Sequence, residues 1–308
     1  MNPLIIDTDP GVDDALAISF ANFAQLPLIG ITTVYGNATV GNTTQNALTI
    51  LELLGSRSPV YQGAAKPVKN NARLAVVHGE NGLGGFSLDN PAKCKSDQSA
   101  EDFLVKTLTS FQGKPLDLCC IGPLTNIALV ARANPDLFDK KKRLIIMGGA
   151  VYEGGNVTPY AEFNTYNDPL ALQEVIGLDS SITIIPLELC RKVTFTREDF
   201  DLIRNKNIQS SFKQITDFYI KSYMKAGEFT GFTGGVMYDL LTVAYILKPE
   251  YFETQAVFLD VHTELDECYG RTQIQENREP NCQLATRVAA KKVKDMFFEV
   301  MNTTLSLT

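Results

Sequence analysis

Ile5-Ile6-Asp7-Thr8-Asp9-Pro10-Gly11-Val12-Asp13-Asp14-Ala15 decides how this chain folds. An apolar, β-branched run ends at Asp7, Pro10-Gly11 makes a turn, and a helix begins near Asp13. Further short apolar runs follow at Leu28–Tyr35, Val60–Tyr61, Leu116–Ile121, Leu144–Met147, Ile182–Leu187 and Val257–Val261. Between them, Ala15–Phe23, Thr43–Leu54, Ala100–Phe111, Thr125–Ala133 and Asp168–Ile176 carry apolar residues at three-and-four spacing. Asp168-Pro169 has the form of an N-cap followed by proline at the first helical position. This alternation predicts an α/β fold: an open, mostly parallel sheet flanked by helices, Rossmann-like at its core.

After about residue 190 helical patterns dominate, at Arg197–Asn205, Ser210–Lys225, Leu240–Leu247 and Arg287–Met301, around one further strand. Polar, Gly-rich stretches at Asn81–Ser99 and Gly227–Gly235 are expected to be surface or lid loops. Neither a repeat nor a low-complexity linker interrupts the chain, so residues 1–308 are expected to form a single catalytic domain.

Composition narrows the chemistry. The chain has 308 residues, 44% of them hydrophobic and 20% charged, which excludes disordered and collagen-like classes. A net charge of −7 without a basic stripe argues against nucleic-acid partners. No apolar run is long enough to span a membrane, and the N-terminus lacks the basic start of a signal peptide. Six cysteines without CxxC or zinc spacing point to a reducing, cytoplasmic setting. With two histidines, His78 and His262, and no tryptophan, the chemistry has to come from carboxylates and amides.

Asp7, Asp9, Asp13 and Asp14 crowd four carboxylates into eight residues. A helix N-terminus offsets about 0.3–1 kcal/mol per favourable charge, a fraction of their repulsion. A bound cation is the more effective remedy, and an all-oxygen set favours Ca²⁺ or Mg²⁺ over Zn²⁺. An EF-hand fails because the preceding element is a strand and no Glu stands at the twelfth position. A metal-free N-cap cluster is the bland alternative. A haloacid dehalogenase-like phosphatase, with Asp7 as nucleophile in Asp-x-Asp, is a sharper one, although the Pro10-Gly11 turn and Asp13-Asp14 pair are foreign to that pattern.

The stretch Asp7–Ala15 resembles the N-terminal signature of the inosine–uridine nucleoside N-ribohydrolases. Further similar motifs follow in order: Thr32–Asn37, His78-Gly79-Glu80-Asn81-Gly82, Gly122-Pro123-Leu124-Thr125-Asn126, Met147-Gly148-Gly149, Asn156 with Ala161-Glu162-Phe163-Asn164, and Asp239. The resemblance implies the nucleoside hydrolase fold and calcium-dependent hydrolysis of the ribonucleoside N-glycosidic bond, giving ribose and free base. It implies Ca²⁺ ligation by Asp9, Asp14, Asp239 and the Ile121 carbonyl, with the ribose cis-diol completing the shell. It places Asp13, Asn164 and Asp239 on the ribose hydroxyls, and Asn156 and Glu162 on the 5′-hydroxyl. Asn37 falls beside the ribose and the attacking water, and Met147 and Phe163 fall among the substrate-binding residues. Water made acidic by the cation gives its proton to Asp9 and attacks C1′ through an oxocarbenium-like transition state. Asp7 is implied to support the site rather than to ligate.

At the base the chain departs from purine/pyrimidine-tolerant members of the family, which carry a histidine before the last aspartate. Here it is Tyr238, either a proton donor to the leaving base or an apolar wall. His78 is expected in the pocket. Tyr219 and Tyr223 fall where the family places base-contacting aromatics, with Phe229 and Phe232 as lid candidates; the lack of tryptophan excludes a tryptophan-stacked purine. The resemblance further implies a homodimer or homotetramer. A hydrolase of a modified nucleoside or related ribosyl compound is the alternative within this reading, and a non-catalytic ribose- or calcium-binding module the one outside it.

Overall fold

The computed structural model describes residues 1–88, 92–226 and 234–303, the side chains of 223–226 excepted. Twelve strands are present among these residues: β1 Leu4–Thr8, β2 Leu28–Thr33, β3 Val60–Gln62, β4 Leu116–Cys120, β5 Lys142–Met147, β6 Ser181–Ile185, β7 Thr194–Phe195, β8 Gly235–Val236, β9 Phe252–Val257, β10 Leu259–Val261, β11 Thr272–Ile274 and β12 Cys282–Val288. The helices are α1 Val12–Phe23, α2 Val40–Leu53, α3 Ala100–Ser110, α4 Thr125–Ala133, α5 Phe163–Asn167, α6 Pro169–Val175, α7 Leu187–Cys190, α8 Lys206–Ala226, α9 Leu240–Leu247 and α10 Ala290–Met301.

Eight strands form one sheet in the order β3-β2-β1-β4-β5-β6-β12-β9, parallel throughout except for the antiparallel edge strand β9. The expected mostly parallel α/β architecture is therefore present. Successive strand residues serve opposite faces: Leu4 and Ile6 join one core, with Ile145 and Met147, while Ile5 joins the other with Leu118, Leu144 and Ile146. The adjacent pair Cys119–Cys120 splits between the two cores in the same way, as small buried hydrophobes.

Strand β1 lies between β2 and β4, with Asp7 level with Thr32 on one side and Cys120 on the other. The chain runs outward in both directions from this pair, which makes the β1/β4 boundary the topological switch point. In such a sheet the crevice beyond the carboxyl ends of these strands is the natural ligand site. Asp9, Asp13 and Asp14 follow β1 there, and Ile121 follows β4.

Several expected boundaries shift. The run Val257–Val261 is broken at Phe258 into β9 in the main sheet and β10, which pairs with β11 in a separate hairpin. Arg197–Asn205 holds only a 3-10 turn over Glu198–Leu202. Instead of one late strand there are several, because Cys282–Val288 inserts between β6 and β9; the last helix starts at Ala290 rather than Arg287. Local periodicity could not show that β12 has neighbours on both sides, since those neighbours are distant in sequence. Asp168 does cap α6 ahead of Pro169, accepting a hydrogen bond from Ala171 N at 3.2 Å.

Candidate active site

Helix α1 starts at a glycine that has no side chain to cap it. Asp14 reaches back instead, accepting from Gly11 N at 2.8 Å, and His78 Nδ1 accepts from Val12 N at 3.1 Å. That bond requires a lone pair on Nδ1, so the ring is neutral with its proton on Nε2. Burial pushes the His78 pKa down to about 3, in agreement. The 3.9 Å approach of His78 Nδ1 to Asp13 is therefore not an ion pair.

The remaining aspartates are held by short polar contacts. Asp14 Oδ1 accepts from the Thr8 hydroxyl at 2.5 Å, and its Oδ2 also accepts from Asn37 Nδ2 at 2.9 Å. Asp9 Oδ2 accepts from Asn37 N at 2.7 Å, whereas its buried Oδ1 has no hydrogen-bond partner among the described residues. Glycine is required opposite Asp9: a Cβ at Gly36 would lie 2.0 Å from Asp9 Oδ2. Asp7 Oδ1 takes the Thr32 hydroxyl at 2.5 Å and Asn126 Nδ2 at 2.8 Å. Asp7 is fully buried behind the cavity wall, where it supports the turn and cannot meet a phosphate as a nucleophile.

Carboxylate oxygens of Asp13, Asp14 and Asp239 all lie within 4.8 Å of one another. All three residues are buried. Burial, then the charges of Asp13, Asp14 and Asp9, holds the Asp239 carboxyl well above the usual range. Asp9 and Asp13 are raised in the same sense, by burial first and by Asp14 second. No lysine or arginine pairs with any of the four among the described residues. Asp13 Oδ1 is buried without a hydrogen-bond partner, like Asp9 Oδ1. Hard carboxylate oxygens that repel one another, two of them without a hydrogen-bond partner, fit a divalent cation.

Above this floor opens a cavity lined by Asp13, Asn37, His78, Ile121, Met147, Asn156, Glu162, Phe163, Asn164, Tyr238 and Asp239. Asn164 Nδ2 donates to the Ile121 carbonyl at 3.1 Å and the Met147 carbonyl at 3.4 Å, tying the ends of β4 and β5 to α5. Glu162 caps α5 through both oxygens, of which Oε1 accepts only one of these bonds. Oε1 takes Asn164 N at 2.8 Å, while Oε2 takes Thr165 N at 2.9 Å and Gly149 N at 3.1 Å. Asn156 Oδ1 is buried without a hydrogen-bond partner.

The expected residues do not all reach the cavity wall. Asp9 and Asp14 lie beneath it. Tyr219 is buried behind His78, with ring centroids 5.0 Å apart, and its hydroxyl donates to the Val236 carbonyl at 2.8 Å. The Tyr223 side chain, Phe229 and Phe232 lie outside the described residues. Conversely, the segment Arg73–Val77 forms part of the wall and was not anticipated. It carries no motif; its place is fixed by Arg73 N on Asn167 Oδ1 at 2.8 Å and Ala75 N on the Gly36 carbonyl at 3.2 Å.

A doubly wound sheet carries at its switch point a cavity floored by carboxylates and walled in part by asparagines, the makings of a site for a small polar ligand. The family described as inosine-uridine preferring nucleoside hydrolase matches residues 4–295, and the chain belongs to it. It is a ribonucleoside N-glycosidic hydrolase. "Probable uridine nucleosidase 1" of Oryza sativa is 37% identical, over 87% of this chain and 83% of that protein. "Pyrimidine-specific ribonucleoside hydrolase RihA" of Escherichia coli is 36% identical, over 88% of this chain and 87% of its own. Among solved structures, the "Purine-Preferring Ribonucleoside Hydrolase from Gardnerella vaginalis" superposes with a TM-score of 0.90 at 29% identity, covering 98% of both chains.

Proposed function

We propose that the protein is a Ca²⁺-dependent hydrolase of pyrimidine ribonucleosides, uridine foremost. The observation that carries the metal dependence is the triad Asp13, Asp14 and Asp239, whose oxygens converge on one point under the cavity. The preference for pyrimidines is supported by the relatives at 34–37% identity named as uridine nucleosidases and pyrimidine-specific hydrolases. Homo-oligomeric assembly belongs to this reading on family resemblance. A cytoplasmic location is supported by six cysteines that are all free thiols.

Asp9, Asp14, Asp239 and the Ile121 carbonyl would hold the cation, with Asp13, whose carboxylate lies within 4.8 Å of those of Asp14 and Asp239, at the same site. When bound, the cation takes the ribose cis-diol and lowers the pKa of water. Asp13 and Asn164 orient the 2′- and 3′-hydroxyls, so a deoxyribose loses its anchor. Asn156 and Glu162 receive the 5′-hydroxyl. Asp9, with one oxygen fixed by Asn37 N and the other unpartnered, accepts the proton of the attacking water. The buried carboxylates oppose the positive charge that develops on the sugar. Tyr238, which lines the cavity beside Asp239, donates to the departing base.

Ribose release from a panel of ribonucleosides, with and without a calcium chelator, tests the reading. Release from uridine that stops on chelation and returns with Ca²⁺ is expected. Chelator-insensitive release would overturn the metal dependence, and faster release from inosine would overturn the base assignment.

A further inference from the structure

Asn156 sits on a tight turn that does not hold itself in place by side-chain packing. Tyr152 is 56% and Tyr160 40% exposed, and the turn closes through Gly155 N to the Pro159 carbonyl and Asn156 N to the Ala161 carbonyl, both at 3.2 Å. What anchors the segment from outside is the short helix α7 and the residue that ends it. Leu187 N donates to the Gly149 carbonyl at 2.9 Å. One residue on, the Glu188 carboxylate accepts from Tyr152 N at 2.9 Å and Val151 N at 3.2 Å. Then Arg191 Nη1 donates to the Gly154 carbonyl at 3.0 Å and Nη2 to the Gly155 carbonyl at 3.4 Å, while Nη1 also meets Glu153 Oε2 at 3.3 Å. Three residues of one helical turn thus grip three successive points of the loop, the last of them the peptide immediately before Asn156.

We infer that Arg191 is a positioning residue for the 5′-hydroxyl subsite. It touches no reacting atom; its guanidinium fork fixes the Gly154 and Gly155 carbonyls, and through them the placement of Asn156, a residue of the cavity wall whose Oδ1 is buried and unpartnered. Two carbonyls held by one planar fork define the orientation of a peptide, which a single point charge cannot do. Lysine at this position carries three donors but no planar fork, so it can reach the carbonyls without fixing the orientation of the peptide. The inference rests on the proposed reading that Asn156 receives the 5′-hydroxyl.

The test compares uridine with 5′-deoxyuridine for the wild type, Arg191→Ala, Arg191→Lys, Asn156→Ala and the double variant Arg191→Ala/Asn156→Ala. Thermal midpoints are measured alongside to confirm folding. The wild type is expected to prefer uridine in kcat/KM, and each Arg191 variant to lower that preference about tenfold, the worth of one good hydrogen bond. Turnover of 5′-deoxyuridine should stay nearly unchanged, and Arg191→Ala should add nothing once Asn156 is gone. A folded Arg191 variant that slows both substrates equally overturns the inference while leaving the Asn156 reading intact. A wild type indifferent to the 5′-hydroxyl, or an Asn156→Ala variant that keeps the full wild-type preference for it, overturns the Asn156 reading itself, and Arg191's role with it. If Arg191→Ala does not fold, the lysine variant alone decides by the same comparison.

Discussion

Removal of the proposed cation has a cost that can be worked from the carboxylate geometry. Asp13, Asp14 and Asp239 present oxygens no more than 4.8 Å apart. Two unit charges at that distance repel by about 3.5 kcal/mol at an effective dielectric constant near 20. Three such pairs give roughly 10 kcal/mol of repulsion if all are ionised, so the metal-free site relieves itself by holding protons. A cation at a hundred times its Kd stabilises the fold by about 2.7 kcal/mol. Unfolding entropy of about 2.1 cal/mol/K per residue over the chain makes that a shift of about 4 °C in Tm. Thermal unfolding with chelator, then with Ca²⁺ restored at constant ionic strength, is the assay. Asp13→Asn provides the control: removing one charge should raise the midpoint of the chelated protein and shrink the Ca²⁺ shift. Identical midpoints with chelator and with saturating Ca²⁺ would refute the reasoning, as would an Asp13→Asn variant less stable than wild type in chelator.

Tyr238→Phe should lower kcat on uridine about 100-fold by removing a proton donor, yet leave release from p-nitrophenyl riboside unchanged, since that leaving group needs no proton. Equal rates on uridine would make Tyr238 a wall. His78 is neutral in the fold, with a pKa near 3 against 6.5 when exposed, so the unfolded chain takes up the extra proton as pH falls. Stability should therefore drop below pH 6.5 by about 1.4 kcal/mol per pH unit from this group until its folded pKa is reached. His78→Gln, which keeps an acceptor for Val12 N, should flatten that slope in acid-denaturation curves; an unaltered slope would assign it elsewhere. Finally, Cys94 is exposed and Cys268 partly so, while burial pushes the Cys119 and Cys282 thiols up to about 12. A thiol reagent should titrate Cys94 quickly, Cys268 more slowly, and the other four only after unfolding.

The sequence by itself determined the parallel α/β class and the carboxylate cluster. Both are local facts: strand and helix periods alternate along the chain, and four aspartates fall within eight residues between the end of one strand and the start of the next helix. The motifs around Asn37, Ile121, Asn156, Glu162, Asn164 and Asp239 were legible too, although their meeting at one cavity was implied by resemblance rather than by spacing. Only the tertiary structure decided which aspartates converge. Asp239, arriving from a loop far along the chain, joins Asp13 and Asp14, while Asp7 is turned inward by Thr32 and Asn126. The same holds for Tyr219, which its spacing allowed to face the base and which packing against His78 and Val236 places behind the wall. Helical periodicity shows which residues share a face, not what lies opposite it. Arg73–Val77 and the grip of Glu188 and Arg191 on the Asn156 turn left no trace in the sequence. Their partners are backbone amides and carbonyls, which every residue carries and no side-chain pattern encodes.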